Sequence, residues 1–177
     1  MEINKTDFNG VLILQPKVLE DARGSFMESY RAELFSGVKF IQDNEAVSKK
    51  GVIRGLHFQR PPFAQSKLIR VLYGCILDVI VDLRKSSDTF GQVFSIELSS
   101  ENKTQLLVPK GFAHGYATLS DTATVLYKVD QYYNKSYDTG IHPLSASLSI
   151  DWQVSDSLLS EKDRQLIDFE DFKSPFQ

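Results

Sequence analysis

The chain has 177 residues, 42% of them hydrophobic, and a formal net charge of −3. That is enough apolar material for one sizeable core, so a single domain over residues 1–177 is the expectation. A slightly acidic balance with both signs interspersed excludes general binding to nucleic acid or to a membrane surface, and leaves any anionic ligand to a local cluster of cations.

No apolar run approaches the roughly 18 residues of a membrane span, and "MEINKTDFNG" has no leader-peptide pattern. The single cysteine, Cys75, rules out an internal disulfide and sits in "YGCILDVIVDL", where it reads as a small core hydrophobe. A cytoplasmic location follows as the expectation. Along the chain, short apolar runs alternate with Gly, Asn, Asp, Ser or Pro, the pattern of many short strands. In order these are "VLILQP", "SFMESY", "FIQDNEAVS", "VIRGLHF", "SKLIRVLY", "CILDVIVDL", "VFSIELS", "TQLLVP", "FAHGYATL", "TATVLYKVDQYY" and "ASLSIDW". Helical periodicity is confined to "RAELF" and "SEKDRQLIDF", and in the latter Ser160 and Asp163 fit a capping box. So many strands with so little helix predict an all-β sandwich, jelly roll or barrel.

"GVIRGLHFQRPPFAQSKLIRVLYG", Gly51 to Gly74, places His57, Arg54 and Lys67 in the most strand-like part of the chain. Each destabilises a fold if buried without a partner, so their gathering asks for a ligand or a site. Gly51, then His57 after five residues, then Gly74, resembles the first motif of the cupin superfamily, and Pro109, Gly111 and His114 in "VPKGFAHGY" match its second motif. The resemblance implies a double-stranded β-helix, or jelly roll, with a short helical segment near its end. Metal-binding cupins take three histidines and a carboxylate as ligands. Here Gln59 stands at the second histidine and Lys67 at the carboxylate. An ammonium repels a divalent cation and cannot ligate while protonated, so no metal and no cofactor are expected.

The resemblance narrows further. "DARGSFMESY", "FIQDNEAVS", "GVIRGLHFQRPPFAQSKLIRV", "LDVIVDLRKSSDTFGQ", "ENKTQLLVPKGFAHGYATL", "LYKVDQYYNKS" and "SEKD" follow one another in the order found in the dTDP-4-dehydrorhamnose 3,5-epimerase family. Membership implies epimerisation at C3 and C5 of a dTDP-linked 4-keto-6-deoxyhexose, through enolates, on the way to dTDP-L-rhamnose. A carbon acid beside a ketone needs a base, a group to hold the enolate, and an acid on the opposite face. His57 suits the base, with Asp163 as its orienting partner by resemblance. Tyr127 matches the general acid, and Lys67 would hold the oxyanion. Arg54 and His114 would meet the diphosphate and substrate oxygens.

The same resemblance assigns Arg23, Phe26, Glu28, Gln42, Asp43, Asn44, Tyr132, Tyr133, Asp138 and Lys162 to substrate contacts. Gln42 and Asn44, two apart on a strand, share a face. Tyr133 fits a stacking platform for thymine. The strand carrying Arg23 and Glu28 crosses, in the family, to a neighbouring subunit, which implies a strand-exchanged homodimer. Pro143, Leu144 and Ser145 replace a Trp-Asn-Asp run common in the family, Ser25 departs before Phe26, and His142 takes no role. Rival readings are an epimerase that inverts C3 alone or serves a related sugar, a metal-dependent cupin oxygenase or isomerase, and a non-catalytic sugar-binding cupin.

Overall fold

Alternating side chains and frequent turns produce strands almost throughout the computed structural model, which describes residues 1–35 and 37–177. These residues form β1 (Glu2–Lys5), β2 (Leu12–Gln15), β3 (Val18–Asp21), β4 (Gly24–Met27), β5 (Gln42–Lys49), β6 (Ile53–Gln59), β7 (Lys67–Tyr73), β8 (Cys75–Asp82), β9 (Val93–Ser99), β10 (Gln105–Val108), β11 (Phe112–Thr118), β12 (Thr122–Val129) and β13 (Asp138–Gly140). A six-stranded sheet runs β1-β2-β10-β7-β12-β5, and a five-stranded sheet runs β13-β6-β11-β8-β9. Every strand pairing is antiparallel. Among the described residues, β3 and β4 pair only with each other. This is the cupin jelly roll that the motifs imply.

The core has two main layers. Ile69 and Val71 of β7, Val125 of β12, Ile76 and Ile80 of β8, and Phe112 and Tyr116 of β11 meet between the sheets. The other face of the five-stranded sheet, with Leu56, Phe58, Leu77, Val79 and Val81, is covered by Leu148, Trp152 and Phe176 from the later part of the chain. Burial on both faces explains why β8 reads as a continuous apolar run rather than an alternating one. Each such side chain contributes roughly 1.5–3 kcal/mol on burial.

Three expectations need correction. "ASLSIDW" is no strand: Ala146–Leu148 is a 3-10 turn, Ser149 adopts a left-handed φ of 48°, and Trp152 Nε1 donates to Pro143 O. "RAELF" holds only a 3-10 turn at Ala32–Leu34. "SEKDRQLIDF" contains one helical turn, α1 (Glu161–Arg164), because Ile167 is drawn into a parallel bridge with Ile141 and its carbonyl accepts from His142 N–H. Edge pairing wins over helical periodicity there. β1, β3 and β13 are short and mostly exposed or only partly buried, so no alternation in the sequence marks them.

Candidate active site

The apolar filling between the sheets gives way to a cavity of about 500 Å³, where Arg54, His57, Lys67, His114, Tyr116, Tyr127, Lys162 and Asp163 join apolar side chains such as Ile53 and Leu159. A second chamber of about 250 Å³ shares His57, Lys67 and Tyr127 and adds Gln42, Asn44, Tyr133 and Asp138. The shared residues join the two into one cleft.

An irregularity in β6 makes the cleft's wall. Residues 54 and 57 are three apart, and on a regular strand they would face opposite sides. Here Ile53, Leu56 and Phe58 enter the outer apolar layer while Arg54 and His57 line the cavity. The ladder to β11 shifts register between His114 and Tyr116, opposite Gly55. Gly55 has a φ of 117°, and a Cβ there would lie 2.6 Å from Gly115 Cα. Only glycine fits such a conformation and approach.

His57 and His114 are direct cross-strand partners, and each has its own carboxylate. His57 Nε2–H donates to Asp163 Oδ1 at 2.5 Å. Asp163 sits on α1, where its backbone N–H donates to Ser160 Oγ at 3.1 Å. Burial pushes its carboxyl up, but hydrogen bonds from His57, Ser160 and the Gly55 amide, with the charge of His57, hold it below the usual carboxylate range. His114 Nε2–H donates to Asp78 Oδ2 at 2.9 Å, and Asp78 is fully buried. Asp78 was not singled out in the sequence, although a carboxylate inside "CILDVIVDL" is the signal that marks it.

Lys67 extends from β7 into the cleft. Burial pulls its ammonium down to about 8, against the opposing charges of Asp138 and Asp78. Tyr127, from β12, is a phenol that burial pushes up, so it stays protonated. Arg54 Nε donates to Ser48 Oγ at 2.8 Å and its Nη2 to Val47 O at 3.2 Å, while Ser48 Oγ lies 3.1 Å from Tyr116 Oη. Ser48 and Tyr116 are further site residues that sequence reading missed, since nothing separates them from ordinary strand residues. Asp138 takes Lys162 Nζ at 2.5 Å and Tyr133 Oη at 3.2 Å, which ties α1 to β13.

Gln42 and Asn44 face the cleft and bond each other at 2.8 Å. Asp43 does not: alternation sends it to the outer sheet face, where Lys128 Nζ reaches it at 2.9 Å. Tyr132 is exposed, and its carbonyl accepts from Gln59 Nε2. Arg23, Phe26 and Glu28 lie away from this cleft. Arg23 forks Asp21, Glu28 pairs with Arg31, and Phe26 is 71% exposed.

The donor set suits an organic anion better than a metal. Gln59 lines the smaller chamber, but it spends its amide on the carbonyls of Phe63 and Tyr132 and on the N–H of Asn134, so it braces a loop. Both histidines are held by carboxylates, and Lys67 brings a positive charge. The Pro143–Ser145 departure forms a corner behind the site, where Ser145 Oγ accepts from Phe169 N–H and His142 Nδ1 from Leu144 N–H.

The family model for dTDP-4-dehydrorhamnose 3,5-epimerase matches residues 5–171. The chain is 48% identical over 168 residues to the dTDP-4-dehydrorhamnose 3,5-epimerase of Shigella flexneri, covering 92% of this chain and 93% of the relative. Among solved structures, a dTDP-6-deoxy-D-glucose-3,5-epimerase from Legionella pneumophila, in complex with dTDP-4-keto-L-rhamnose, superposes with a TM-score of 0.94 at 39% identity, covering 99% of this chain and 98% of the other. A dTDP-4-dehydrorhamnose 3,5-epimerase from Bacillus anthracis, with TDP and PPi bound, gives 0.91 at 47% identity, covering 95% and 99%.

Proposed function

The chain belongs to the dTDP-4-dehydrorhamnose 3,5-epimerase family, and we propose that it inverts C3 and C5 of a dTDP-linked 4-keto-6-deoxyhexose by stepwise deprotonation and reprotonation. The observation that carries this reading is that His57 and Tyr127 reach one cleft from opposite sheets. Inversion requires a proton to leave one face of an enolate and return to the other, which two groups so placed can do.

His57 accepts the proton on Nδ1, since Nε2–H is already given to Asp163. The carbanion's electron pair moves onto the C4 oxygen, where Lys67 and His114 donate to it. Their preorganised placement in the cleft is what lowers the barrier. Tyr127 then returns a proton to the opposite face. Gln42, Asn44, Tyr133, Asp138 and Lys162 line the route along which the nucleotide would lie, and Arg54 stands ready for the diphosphate. Asp43 and Tyr132 take no part in the cavity wall of this chain. No metal or cofactor enters the scheme.

The β3–β4 hairpin supports a homodimer. Among the described residues it pairs with no other strand, and it exposes Leu19 and Phe26 at 53% and 71%. Apolar side chains on a lone hairpin need cover, and a second copy whose cleft receives Arg23, Phe26 and Glu28 supplies it. The reading carries with it a cytoplasmic location, where a nucleotide-linked sugar is at hand.

The test is incubation with dTDP-4-keto-6-deoxyglucose in heavy water, with deuterium located by NMR. Label at C3 and C5 of an inverted product is expected. Label at C3 alone makes the enzyme a 3-epimerase, and none removes the assignment.

A further inference from the structure

Arg54 carries a charge that nothing beside it neutralises. Among the described residues no carboxylate pairs with it. Its hydrogen bonds go to two neutral oxygens of β5, Ser48 Oγ from Nε and Val47 O from Nη2. A guanidinium held this way keeps its remaining N–H groups, and its charge, for an anion in the cavity. Ser48 is itself buried, and its Oγ meets the hydroxyl of Tyr116. Tyr116 is buried too, and it reaches across from β11 in the opposite sheet.

Either hydroxyl could donate in that contact, and a count of hydrogens decides which one does. Each has a single hydrogen, and Ser48 Oγ already accepts from Arg54. If Tyr116 donated to Ser48, the Ser48 hydrogen would be buried with no acceptor among the described residues, at a cost of about 1–3 kcal/mol. If Ser48 donates to Tyr116, every group from Arg54 to the phenol oxygen is satisfied. The Tyr116 hydrogen is then free for the cavity that its side chain lines. Burial pushes the phenol's ionisation up, although Ser48 and Arg54 pull the other way, so the hydrogen stays in place at neutral pH.

We propose that Arg54, Ser48 and Tyr116 form one directed chain of hydrogen bonds across the cleft, which fixes the guanidinium and presents the Tyr116 O–H as a second donor to the substrate's diphosphate. The inference rests on the epimerase reading above, and it gives Ser48 and Tyr116 a part in recognition rather than in proton transfer. Direction is what matters. Each donor is polarised by the one before it, with a cation at the head, so a neutral phenol meets the phosphate oxygens as a strengthened donor. The chain also joins β5 of one sheet to β11 of the other, so two hydroxyls set the width of the cleft beside Arg54.

The test is an NMR titration of Tyr116→Phe, Ser48→Ala and the double variant with dTDP, and with thymidine, which lacks the phosphates. Each substitution removes one oxygen, and a melting scan checks the fold. Loss of a hydrogen bond to a charged group predicts dTDP binding about 10-fold weaker in Tyr116→Phe, with thymidine binding changed less than about 2-fold. For the keto sugar, kcat/KM should fall by the same factor, chiefly through KM. Ser48→Ala should resemble Tyr116→Phe. Because the two hydroxyls act in series, the double variant should bind dTDP within about 3-fold of the weaker single variant, whereas independent contacts would multiply. Equal losses for thymidine and dTDP, multiplied losses in the double variant, or unchanged dTDP binding in Tyr116→Phe would each overturn the proposal. Failure of the epimerase reading would show separately, as no deuterium exchange in the unaltered enzyme.

Discussion

Asp163 serves two neighbours with different atoms: its carboxylate reaches His57 Nε2 at 2.5 Å, and its backbone N–H caps α1 on Ser160 Oγ. The capping box and the histidine partner, which compete as readings of "SEKD", are therefore one arrangement. Replacing the carboxylate should leave the cap intact. Asp163→Asn is expected to lower kcat by about 10²–10⁴-fold, the range seen when a catalytic histidine loses its orienting charge. KM should stay within a few-fold and the melting temperature should change little. Steady-state rates with a calorimetric scan check this. Ser160→Ala should do the reverse, losing about 1 kcal/mol of stability with a modest loss of rate.

Lys67 should set the alkaline limb of activity. Its ammonium is pulled down to about 8 by burial, so kcat/KM should fall as pH rises through that value. The same shift acts on stability with a definite sign. Between about 8 and its ordinary value of 10.5, the unfolded chain keeps a proton that the folded chain has released, so stability rises with pH across that window. Below it both states hold the proton and the folded state bears the full penalty, of the order of 1–3 kcal/mol once partial solvent contact is allowed for. Lys67→Met should therefore raise the melting temperature at pH 7, by less at pH 10, while abolishing turnover. A lower melting temperature at pH 7 would contradict the burial penalty.

Tyr127→Phe separates acid from base. With the phenol gone, His57 can still remove and replace protons on its own face. Deuterium from heavy water should enter the substrate faster than inverted product appears, whereas the intact enzyme couples the two. Loss of exchange and inversion together, in a well-folded variant, would show that Tyr127 is not simply the acid.

Activity should survive exhaustive chelation. Gln59 is committed to three backbone groups and Lys67 is cationic, so neither offers a ligand where a metal cupin needs one. Activity that returns only on adding a divalent ion would reverse this assignment.

Much of this was legible in the sequence, and for a physical reason. Strands with one buried face print their alternation, which is why β9 falls on "VFSIELS" without adjustment. β1, "EINK", is exposed along its whole length and is held by pairing with β2 alone, so it leaves no apolar trace. β13 is fixed by Gly140 and Asp138 lying across from His57 and Gln59, a relationship between distant segments. The site divides the same way. Motif spacing finds His57 and His114, whereas the outward turn of Asp43 needs the phase of β5, and the partner of His114 needs the fold.

Gly55 and Gly115 each exclude a side chain on the other: a Cβ on the first would strike the second's backbone, and one on the second would lie 2.6 Å from Arg54 O. Neither position can be relieved by changing the other, because the obstacle is main chain on both sides. The two strands that carry the cavity's histidines thus meet at a point closed to stepwise variation. Descendants of this sequence are left to alter substrate preference through what the cleft displays, such as Tyr133, Lys162 or the projecting hairpin, while the separation of the two imidazoles is inherited unchanged.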